Sequence, residues 1–213
     1  MLIINSMIKR YKLFRIYPKL CEFFYIIWNR VYFRLLGIRF GKRFRVYNKI
    51  YIICRGNIHI GDDFIFSSGN GINPICRNIR GALYTMTDEA QIEIGDRVGI
   101  SSSCILARKR IIIGNDVNIG GDCLIMDNDS HPHDYVKRRR TYEQNNDCNS
   151  FFASIPTSPI IIDDDVWIGA RCHILKGVHI GARSIIAAGS IVTNDIPADV
   201  IAGGNPCKII RKI

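Results

Sequence analysis

The sequence of 213 residues lacks a long hydrophobic run. Its longest unbroken apolar stretch is the six residues Phe23–Trp28, whereas a helix that spans a bilayer needs about 20. No apolar core followed by a small-residue cleavage site is present, which argues against a secretory signal. We therefore expect a cytoplasmic protein, either free or peripheral at the inner face of the membrane.

Two chemical motifs are also missing. The eight cysteines include no Cys-x-x-Cys pair and follow no regular spacing, so they predict neither a disulfide framework nor a metal site. No Gly-x-Ser-x-Gly sequence is present, so a covalent serine mechanism has no support. Cys104, Cys123 and Cys172 occupy the same position of the repeat described below, and we interpret them as buried thiols.

Acidic residues are nearly absent from residues 1–49, which hold twelve Lys or Arg against the single Glu22. This segment carries +11 and the rest of the chain −1, so the net charge of +10 is local. Its cations are interleaved with Phe, Tyr, Trp and Ile, a mixture that suits an anionic membrane surface better than DNA. We assign residues 1–50 to a helical segment that either caps the fold or contacts a membrane, and we expect no nucleic-acid partner.

Aliphatic residues recur every six positions within residues 51–213, often followed by a small residue. A helix would drift from this period, whereas a solenoid of short strands and turns keeps it. Three hexads close one triangular coil, and parallel ladders between coils satisfy the backbone. The sequence therefore predicts a mainly β solenoid, with the N-terminal segment and the C-terminal IIRKI as its caps. The blocks are Ile60, Phe66 and Ile72; Ile94, Ile100 and Leu106; Ile113, Ile119 and Ile125; and Ile162, Ile168, Ile174, Ile180, Ile186 and Val192.

Residues 166–210 contain VWIG, AAGSIVTNDIP and GGNPCKII in that order. These motifs resemble the C-terminal signature of the hexapeptide-repeat acyltransferases, and within them the sugar O-acetyltransferases. The likeness covers about residues 58–211. It implies a left-handed parallel β-helix, usually a homotrimer, that transfers an acetyl group from acetyl-CoA. The left hand departs from the usual right-handed crossover, so it rests on the resemblance alone.

The hexads stop between Ile125 and Ile162, and an insertion in a solenoid leaves the stack as a loop on one face. We expect this loop over about 131–160, starting beside the sequence DNDSHPHD. Acetyl transfer to a hydroxyl needs a base that titrates near neutrality, as histidine does. The resemblance matches DSHP to the family's catalytic segment and selects His131 as general base, with His133 as a helper in the acceptor site. The remaining histidines, expected on the outer surface, are His59, His173 and His179.

Several polar residues near the loop are candidates for the acceptor site. Asp129 either orients the catalytic imidazole or serves a turn, and Asp127 either binds acceptor hydroxyls or serves a turn. The resemblance points to Ser101 and Ser102 as acceptor contacts, with small residues for a coil turn as the alternative. It also assigns Trp167 to the wall of the acetyl and acceptor site.

The resemblance places acetyl-CoA in a groove between neighbouring subunits along the C-terminal coils. Small residues let the backbone approach an extended ligand, and cations meet its phosphates. Many relatives have a lysine where this chain has Asn194, a departure that affects one phosphate contact. No metal is expected. The residues assigned to the cofactor are Trp167, Gly169, Ala170, Ala188, Thr193, Asn194, Lys208 and Arg211.

We expect an acetyl-CoA-dependent O-acetyltransferase that modifies a sugar hydroxyl of a surface polysaccharide or of its lipid-linked precursor. An N-acetyltransferase acting on an amino sugar or a serine-type acceptor would use the same pocket. Two alternatives keep the fold and change the role: a zinc-dependent β-helix of the carbonic-anhydrase type, which needs three stacked histidines, and a non-catalytic scaffold. Lys137, Arg138, Arg139 and Arg140 form either a solvated loop face or a site for an anionic acceptor.

Overall fold

The computed structural model describes residues 20–69, 75, 79–140 and 153–213. A helix, α1, is present over residues 20–35, and a short helix, α2, comprises Tyr135–Arg140. Twenty short strands make up most of the remainder. They are β1 (Arg39–Phe40), β2 (Arg45–Tyr47), β3 (Tyr51–Cys54), β4 (Asn57–Ile60), β5 (Ile65–Ser67), β6 (Ala82–Thr85), β7 (Gln91–Ile94), β8 (Gly99–Ser101), β9 (Cys104–Ala107), β10 (Arg110–Ile113), β11 (Asn118–Ile119), β12 (Leu124–Met126), β13 (Ile160–Ile162), β14 (Trp167–Ile168), β15 (His173–Ile174), β16 (His179–Ile180), β17 (Ile185–Ile186), β18 (Ile191–Val192), β19 (Val200–Gly203) and β20 (Lys208–Lys212).

The strands form three sheets, and each sheet takes every third strand. Sheet A has the order β1-β4-β7-β10-β13-β16, sheet B the order β2-β5-β8-β11-β14-β17-β19-β20, and sheet C the order β3-β6-β9-β12-β15-β18. One coil of chain therefore adds one strand to each sheet. All pairings are parallel except that of β19 with β20. The architecture is the predicted left-handed parallel β-helix, with a helix at its N-terminal end.

Register partners show where the repeat holds and where the chain leaves it. Ile162 pairs with Ile180, so one coil advances by 18 residues there. Ile113 pairs with Ile162, an advance of 49, and the extra 31 residues form the extruded loop. The inward side chains of successive coils stack into a buried apolar column, in which Ile60, Ile125 and Ile174 are fully buried. Their burial supplies the hydrophobic stabilisation that six-residue coils cannot obtain singly.

The predicted hexad pattern is wrong at one place in sheet C. Ile105, rather than Leu106, points into the column and pairs with Ile125, while Leu106 lies half-buried on the outer face. The step from Ile100 to the next inward residue is therefore five. Cys104 consequently faces outward and is only partly buried, unlike Cys123 and Cys172, which are buried as predicted. Burial raises the pKa of the Cys104 thiol. Ile72 lies outside the described residues.

The β-helix takes in residues from Arg39 onward, so its first strands lie within the segment that we assigned to a separate N-terminal unit. Ile38, Phe44 and Ile50 are all buried and continue the six-residue step toward the N-terminus. An aromatic residue in the middle of this block and two cations beside it obscure the signal in the sequence.

Helix α1 closes the N-terminal end of the β-helix. Phe33 is fully buried, with its ring centroid 4.9 Å from that of Phe44. The amide Nδ2 of Asn29 donates to Val46 O at 2.8 Å and to Asn48 O at 2.9 Å, so it satisfies carbonyls beside β2, the first strand of sheet B. At the opposite end, β20 covers the edge of β19. No helix within the described part of the chain is long and apolar enough to cross a membrane.

The three sheets enclose a triangular prism. One of its corners carries a ladder of charged residues whose backbone is left-handed, with φ near 60°. Asp tolerates this conformation better than most residues because its short polar side chain bonds locally. Arg97 donates to both carboxylate oxygens of Asp116, at 2.7 and 2.8 Å, and Arg183 donates in the same way to Asp199. These hydrogen bonds hold the pKa of the Asp116 and Asp199 carboxyls below its usual value. The ladder thus links neighbouring coils through paired charges.

Candidate active site

The extruded loop leaves the β-helix at the corner between sheets C and A. Strand β12 ends at Met126 and β13 begins at Ile160. The loop therefore begins about four residues before the predicted start at 131, and its end agrees with the predicted range. Both arms bond to each other: Asn128 bridges to Thr157, and the amide of Ser158 donates to Asp127 O at 2.9 Å. The roots are therefore fixed by the β-helix.

Asp127 is fully buried at this corner. Its carboxylate accepts hydrogen bonds from the backbone amides of Arg108, Lys109 and Arg110, at 2.7, 2.7 and 2.8 Å. The side-chain amide of Asn128 donates to it as well, at 3.2 Å. These contacts agree with the alternative interpretation of Asp127 as a turn residue, and its contact with acceptor hydroxyls stays a prediction.

Asp129 forms the centre of a charged cluster at the loop root. Its Oδ2 lies 2.6 Å from Nε2 of His133 and 2.8 Å from Nζ of Lys176. The carboxylate thus orients the imidazole of His133, whereas our hypothesis paired it with the catalytic imidazole of His131. Lys176 was not identified from the sequence. It follows β15, one coil beyond β12, and the length of the loop hides this register in the linear sequence.

His131 lies beside this cluster on an exposed part of the loop root. Its backbone amide donates to Asp129 O at 2.6 Å, and the following residue, Pro132, is buried. Ser130 before it has a left-handed backbone with φ of 60° and donates from its amide to Asn128 Oδ1 at 3.0 Å. A tight turn on one side and a buried proline on the other hold the backbone that carries the imidazole.

Ser101 and Ser102 lie at the end of β8 in sheet B. Ser102 is fully buried; its hydroxyl accepts from Gly69 N at 2.9 Å and donates to Ser67 O at 3.1 Å. These bonds join two coils, so Ser102 serves the turn that was its alternative interpretation. Ser101 is only partly buried and belongs to the same sheet as Trp167, two coils further along. A role of Ser101 at the acceptor stays a prediction.

A row of register partners crosses the outer face of sheet B near its C-terminal end. Trp167 pairs with Ile185, Ile185 with Ile201, and Ile201 with Arg211. Neighbouring strands are about 4.8 Å apart, so the row spans roughly 14 Å. Trp167 is 56% exposed at one end of it, and the exposed cations Arg211 and Lys208 lie on β20 at the other. Aromatic surface and positive charge therefore occupy opposite ends of one track.

The corner between sheets B and C runs alongside this row. Within the described residues, the backbone amides of Ala170 and Ala188 donate no hydrogen bond, although both alanines lie at successive positions of the same corner. Gly169 lies below Ala188, and an added Cβ on it would come within 2.6 Å of Ala188 N. Backbone amides without acceptors suit a ligand that carries carbonyl or phosphate oxygens. Thr193 and Asn194 are also exposed, and their side chains bond to each other at 3.0 Å.

Sheet C separates the two parts of the predicted site within one chain. His131 leaves from the corner between sheets C and A, whereas Trp167 begins the strand of sheet B and Ala170 lies at the corner between sheets B and C. A single chain therefore carries the base and the predicted cofactor track on different edges.

The four loop cations all lie on α2. Lys137, Arg138 and Arg139 are exposed, and Arg138 donates to the carbonyls of Pro132 and His133 at 3.0 and 3.2 Å. The helix therefore folds back over the segment that follows His131. No group of three or more His, Cys, Asp or Glu side chains in the described ranges is arranged to hold a metal ion.

The repeat, the three parallel sheets and the extruded loop are the features of a left-handed parallel β-helix built from six-residue repeats. Residues 159–194 match the family model "Bacterial transferase hexapeptide (six repeats)". The resemblance to the sugar O-acetyltransferases is confirmed by galactoside O-acetyltransferase from Escherichia coli, which is 32% identical over 173 residues, or 81% of this chain and 63% of that protein.

Two further comparisons widen the range of chemistry among similar proteins. The 2,3,4,5-tetrahydropyridine-2,6-dicarboxylate N-acetyltransferase from Staphylococcus aureus is 56% identical over 54 residues, or 25% of this chain and 23% of that enzyme. Both curated relatives are thus spanned over less than two thirds of their length. A solved structure of AntD, an N-acyltransferase from Bacillus cereus, superposes with a TM-score of 0.62 and 16% identity, over 86% of this chain and 88% of AntD. At that identity the likeness concerns the fold.

Proposed function

We propose that this protein is an acetyl-CoA-dependent O-acetyltransferase that modifies a sugar hydroxyl of a surface polysaccharide or of its lipid-linked precursor. One observation carries the proposal: an exposed tryptophan, two unpartnered backbone amides and terminal cations lie along one track at the end of the β-helix, which suits an extended acyl-CoA. The similarity to galactoside O-acetyltransferase supports a sugar as acceptor.

The proposed cofactor contacts follow the chemistry of each position along the track. The indole of Trp167 walls the acyl end, and the amide of Ala170 donates to the thioester or the start of the pantetheine arm. Gly169 keeps the chain close there, because any side chain would strike the next coil. The amide of Ala188 meets the arm further along, with Thr193 and Asn194 at its edge. Lys208 and Arg211 supply positive charge to the nucleotide phosphates.

In the proposed mechanism His131 is the general base. Its neutral imidazole removes the proton of the acceptor hydroxyl as the oxygen attacks the thioester carbonyl, so an ester forms and the carbon–sulfur bond to CoA breaks. A backbone amide on the track stabilises the negative charge that develops on the carbonyl oxygen. The proton held by His131 then passes to the departing thiolate. Asp129 and Lys176 hold the adjacent His133 and the loop root, and thereby the position of the base.

The active form is proposed to be a homotrimer with sites between subunits. The base and the cofactor track lie on different edges of one chain, so a neighbouring copy can bring His131 of one subunit to Trp167 of the next. An apolar row on the outer face of sheet C offers the contact surface: Ile53, Tyr84, Leu106 and Met126 are successive register partners. The outer face of sheet A is mixed: Ile112 and Ile161 lie in register with Glu93, which is ion-paired with Arg110.

An N-acetyltransferase acting on an amino sugar or a serine-type acceptor is the second candidate. The identity of 56% to the staphylococcal N-acetyltransferase supports it over the 54 residues matched, a quarter of this chain. The same base and track would serve both reactions. A β-helix that acts as a non-catalytic scaffold is the alternative of another class, and it predicts no acetyl transfer.

The acceptor class is tested by comparing the mass of the host's surface polysaccharide with and without the protein. The proposal predicts that the repeating unit loses one acetyl group when the protein is removed, and that mild alkali removes the same group from the wild-type polymer, because esters are cleaved more readily than amides. An acetyl group that resists mild alkali supports N-acetylation. An unchanged repeating unit contradicts both forms of the proposal.

A further inference from the structure

Helix α1 presents an apolar stripe to solvent along its whole described length. The residues of the stripe are spaced by three, four and one positions, which places them on one side of a helix. A helix on a protein surface normally carries several charged residues on its outer side, whereas this side of α1 carries one exposed cation, Arg34. The exposed fractions range from 47% to 81%. The stripe comprises Leu20, Phe23, Phe24, Ile27, Trp28, Val31 and Leu35.

The opposite side of α1 fixes the direction of the stripe. Asn29 is 2% exposed, and its amide is bound to two carbonyls beside β2. Phe33 is buried among the rings at the end of the β-helix, and Tyr32 and Leu36 pack against the same core. The guanidinium of Arg30 donates to Phe44 O at 3.1 Å. Because these contacts anchor the inner side, α1 cannot rotate its stripe into the protein without losing them.

Positive charge surrounds the stripe and is compensated only in part, by the ion pair of Arg43 with Asp63. Residues 23–61 contain eight Lys or Arg and no Asp or Glu. Five of these cations are exposed on α1 or on the first coil that it covers. A partner for this end of the molecule must therefore supply both an apolar interior and negative charge. The exposed cations are Arg34, Arg39, Lys42, Arg43 and Lys49.

We propose that α1 is the membrane-docking surface of the protein and lies in the headgroup region of an anionic lipid bilayer. The aromatic and aliphatic stripe enters the boundary between headgroups and acyl chains, and the cations beside it meet lipid phosphates. A second copy of α1 would cover the stripe but would bring two segments of the same positive sign together. Anionic lipid removes that repulsion, so charge complementarity favours the membrane over self-association.

This inference stands independently of the proposed acetyl transfer, because it rests on residues at the opposite end of the β-helix from the cofactor track. If both hold, docking through α1 would direct the long axis of the β-helix away from the bilayer and keep the loop-root cluster within reach of an acceptor carried by a membrane lipid.

The position of Trp28 in the stripe provides a direct test, since the chain has only two tryptophans. In full-length Trp167→Phe protein, Trp28 is the only fluorescent indole. We expect vesicles that contain about one third phosphatidylglycerol to shift its emission to shorter wavelength and to allow quenching by lipids with a bromine or nitroxide on the upper acyl chain. Vesicles of phosphatidylcholine alone should give a much smaller effect. Equal partition into both kinds of vesicle, or no shift with either, would overturn the proposal.

Matched variants separate the stripe from general surface hydrophobicity. In vesicle sedimentation we expect Phe24→Ser to weaken partition on the order of tenfold, and Arg39→Gln or Lys42→Gln to weaken it about fivefold each. Ile161→Ser, which removes an exposed apolar side chain from sheet A, should leave partition unchanged. Thermal unfolding checks that every variant is folded. If instead Phe24→Ser abolishes self-association seen by light scattering without lipid and does not alter vesicle binding, a second copy covers the stripe and the proposal fails.

Discussion

Lys176 Nζ lies 2.8 Å from Oδ2 of Asp129, and the same oxygen lies 2.6 Å from Nε2 of His133. The lysine belongs to the coil that follows the extruded loop, whereas the aspartate belongs to the loop's first residues. The ion pair therefore ties the loop root to a rigid part of the β-helix, next to the proposed base His131. Partial burial of Lys176 and Asp129, at 30% and 26% side-chain exposure, strengthens the pair relative to a fully exposed one.

Lys176→Met should slow acetyl transfer by misplacing the base. We expect kcat to fall about tenfold to a hundredfold, because small displacements of a catalytic group cost that much. KM for acetyl-CoA should change little, since Lys176 lies away from the proposed cofactor track. Steady-state release of the CoA thiol measures both constants. Lys109→Met is the matched control, an exposed lysine whose side chain lies outside the cluster. A Lys176→Met enzyme with wild-type kcat would show that the ion pair does not position the base.

Asp127→Ala should destabilise the protein whether or not it affects catalysis. The substitution deprives three backbone amides of their acceptor, at a cost of about 3 kcal/mol. For a chain of this size that corresponds to a decrease in Tm of about 6–12 °C. Differential scanning calorimetry checks the decrease, and Asp127→Asn, which keeps one carbonyl oxygen, should lose less. If Asp127→Ala retains its Tm but loses sugar binding, then Asp127 contacts the acceptor and its interpretation as a turn residue is wrong.

Acid should weaken the ladder of paired charges at the prism corner. Hydrogen bonds from Arg97 lower the pKa of Asp116 in the folded protein, so the pair contributes stability above the unfolded carboxyl pKa of about 4. The contribution is lost as the pH falls through the lower, folded pKa. Arg97→Gln should therefore reduce Tm at pH 7 and have a smaller effect at pH 2. A reduction that is the same at both pH values would mean that Arg97 acts through packing alone.

The outer face of sheet C predicts the assembly state. Leu106→Asp places a charge in the middle of the apolar row and should convert trimers to monomers, because an unpaired charge in an interface costs several kcal/mol. Light scattering during size-exclusion chromatography measures the mass. Ile161→Asp on sheet A is the control and should remain trimeric. A wild-type protein that is monomeric at micromolar concentration would rule out this interface.

The sequence predicted most of the fold because a six-residue period is a direct record of coil geometry. The long block from Ile162 to Val192 is inward-facing throughout, as predicted. The predictions failed where the record is interrupted. The step between Ile100 and Ile105 is one residue short. The six-residue period from Ile38 to Ile50 is concealed by aromatic and charged residues. A local change in turn length does not disturb the stack but shifts every inward position after it.

The candidate site was less predictable than the fold because it depends on contacts between distant coils. Asp127 and Asp129 were both candidates for the acceptor site, yet Asp127 is buried against backbone amides and Asp129 binds the side chains of His133 and Lys176. Only the register across the extruded loop brings Lys176 to this point. Ser101 and Ser102 show the same limit, since one residue decides whether a hydroxyl lies inside the turn or on the surface.

The central claim, that His131 is the base of an acetyl-CoA-dependent transferase, is tested most directly by comparing His131→Ala with His133→Ala. Both are histidines of the same loop root, and only His131 is assigned proton transfer. With acetyl-CoA and an acceptor sugar identified from the host polysaccharide, we predict that His131→Ala lowers kcat about 10²–10⁴-fold at unchanged CoA affinity, while His133→Ala retains most of the activity. Acceptor-dependent CoA release that persists at the wild-type rate in His131→Ala would contradict the claim.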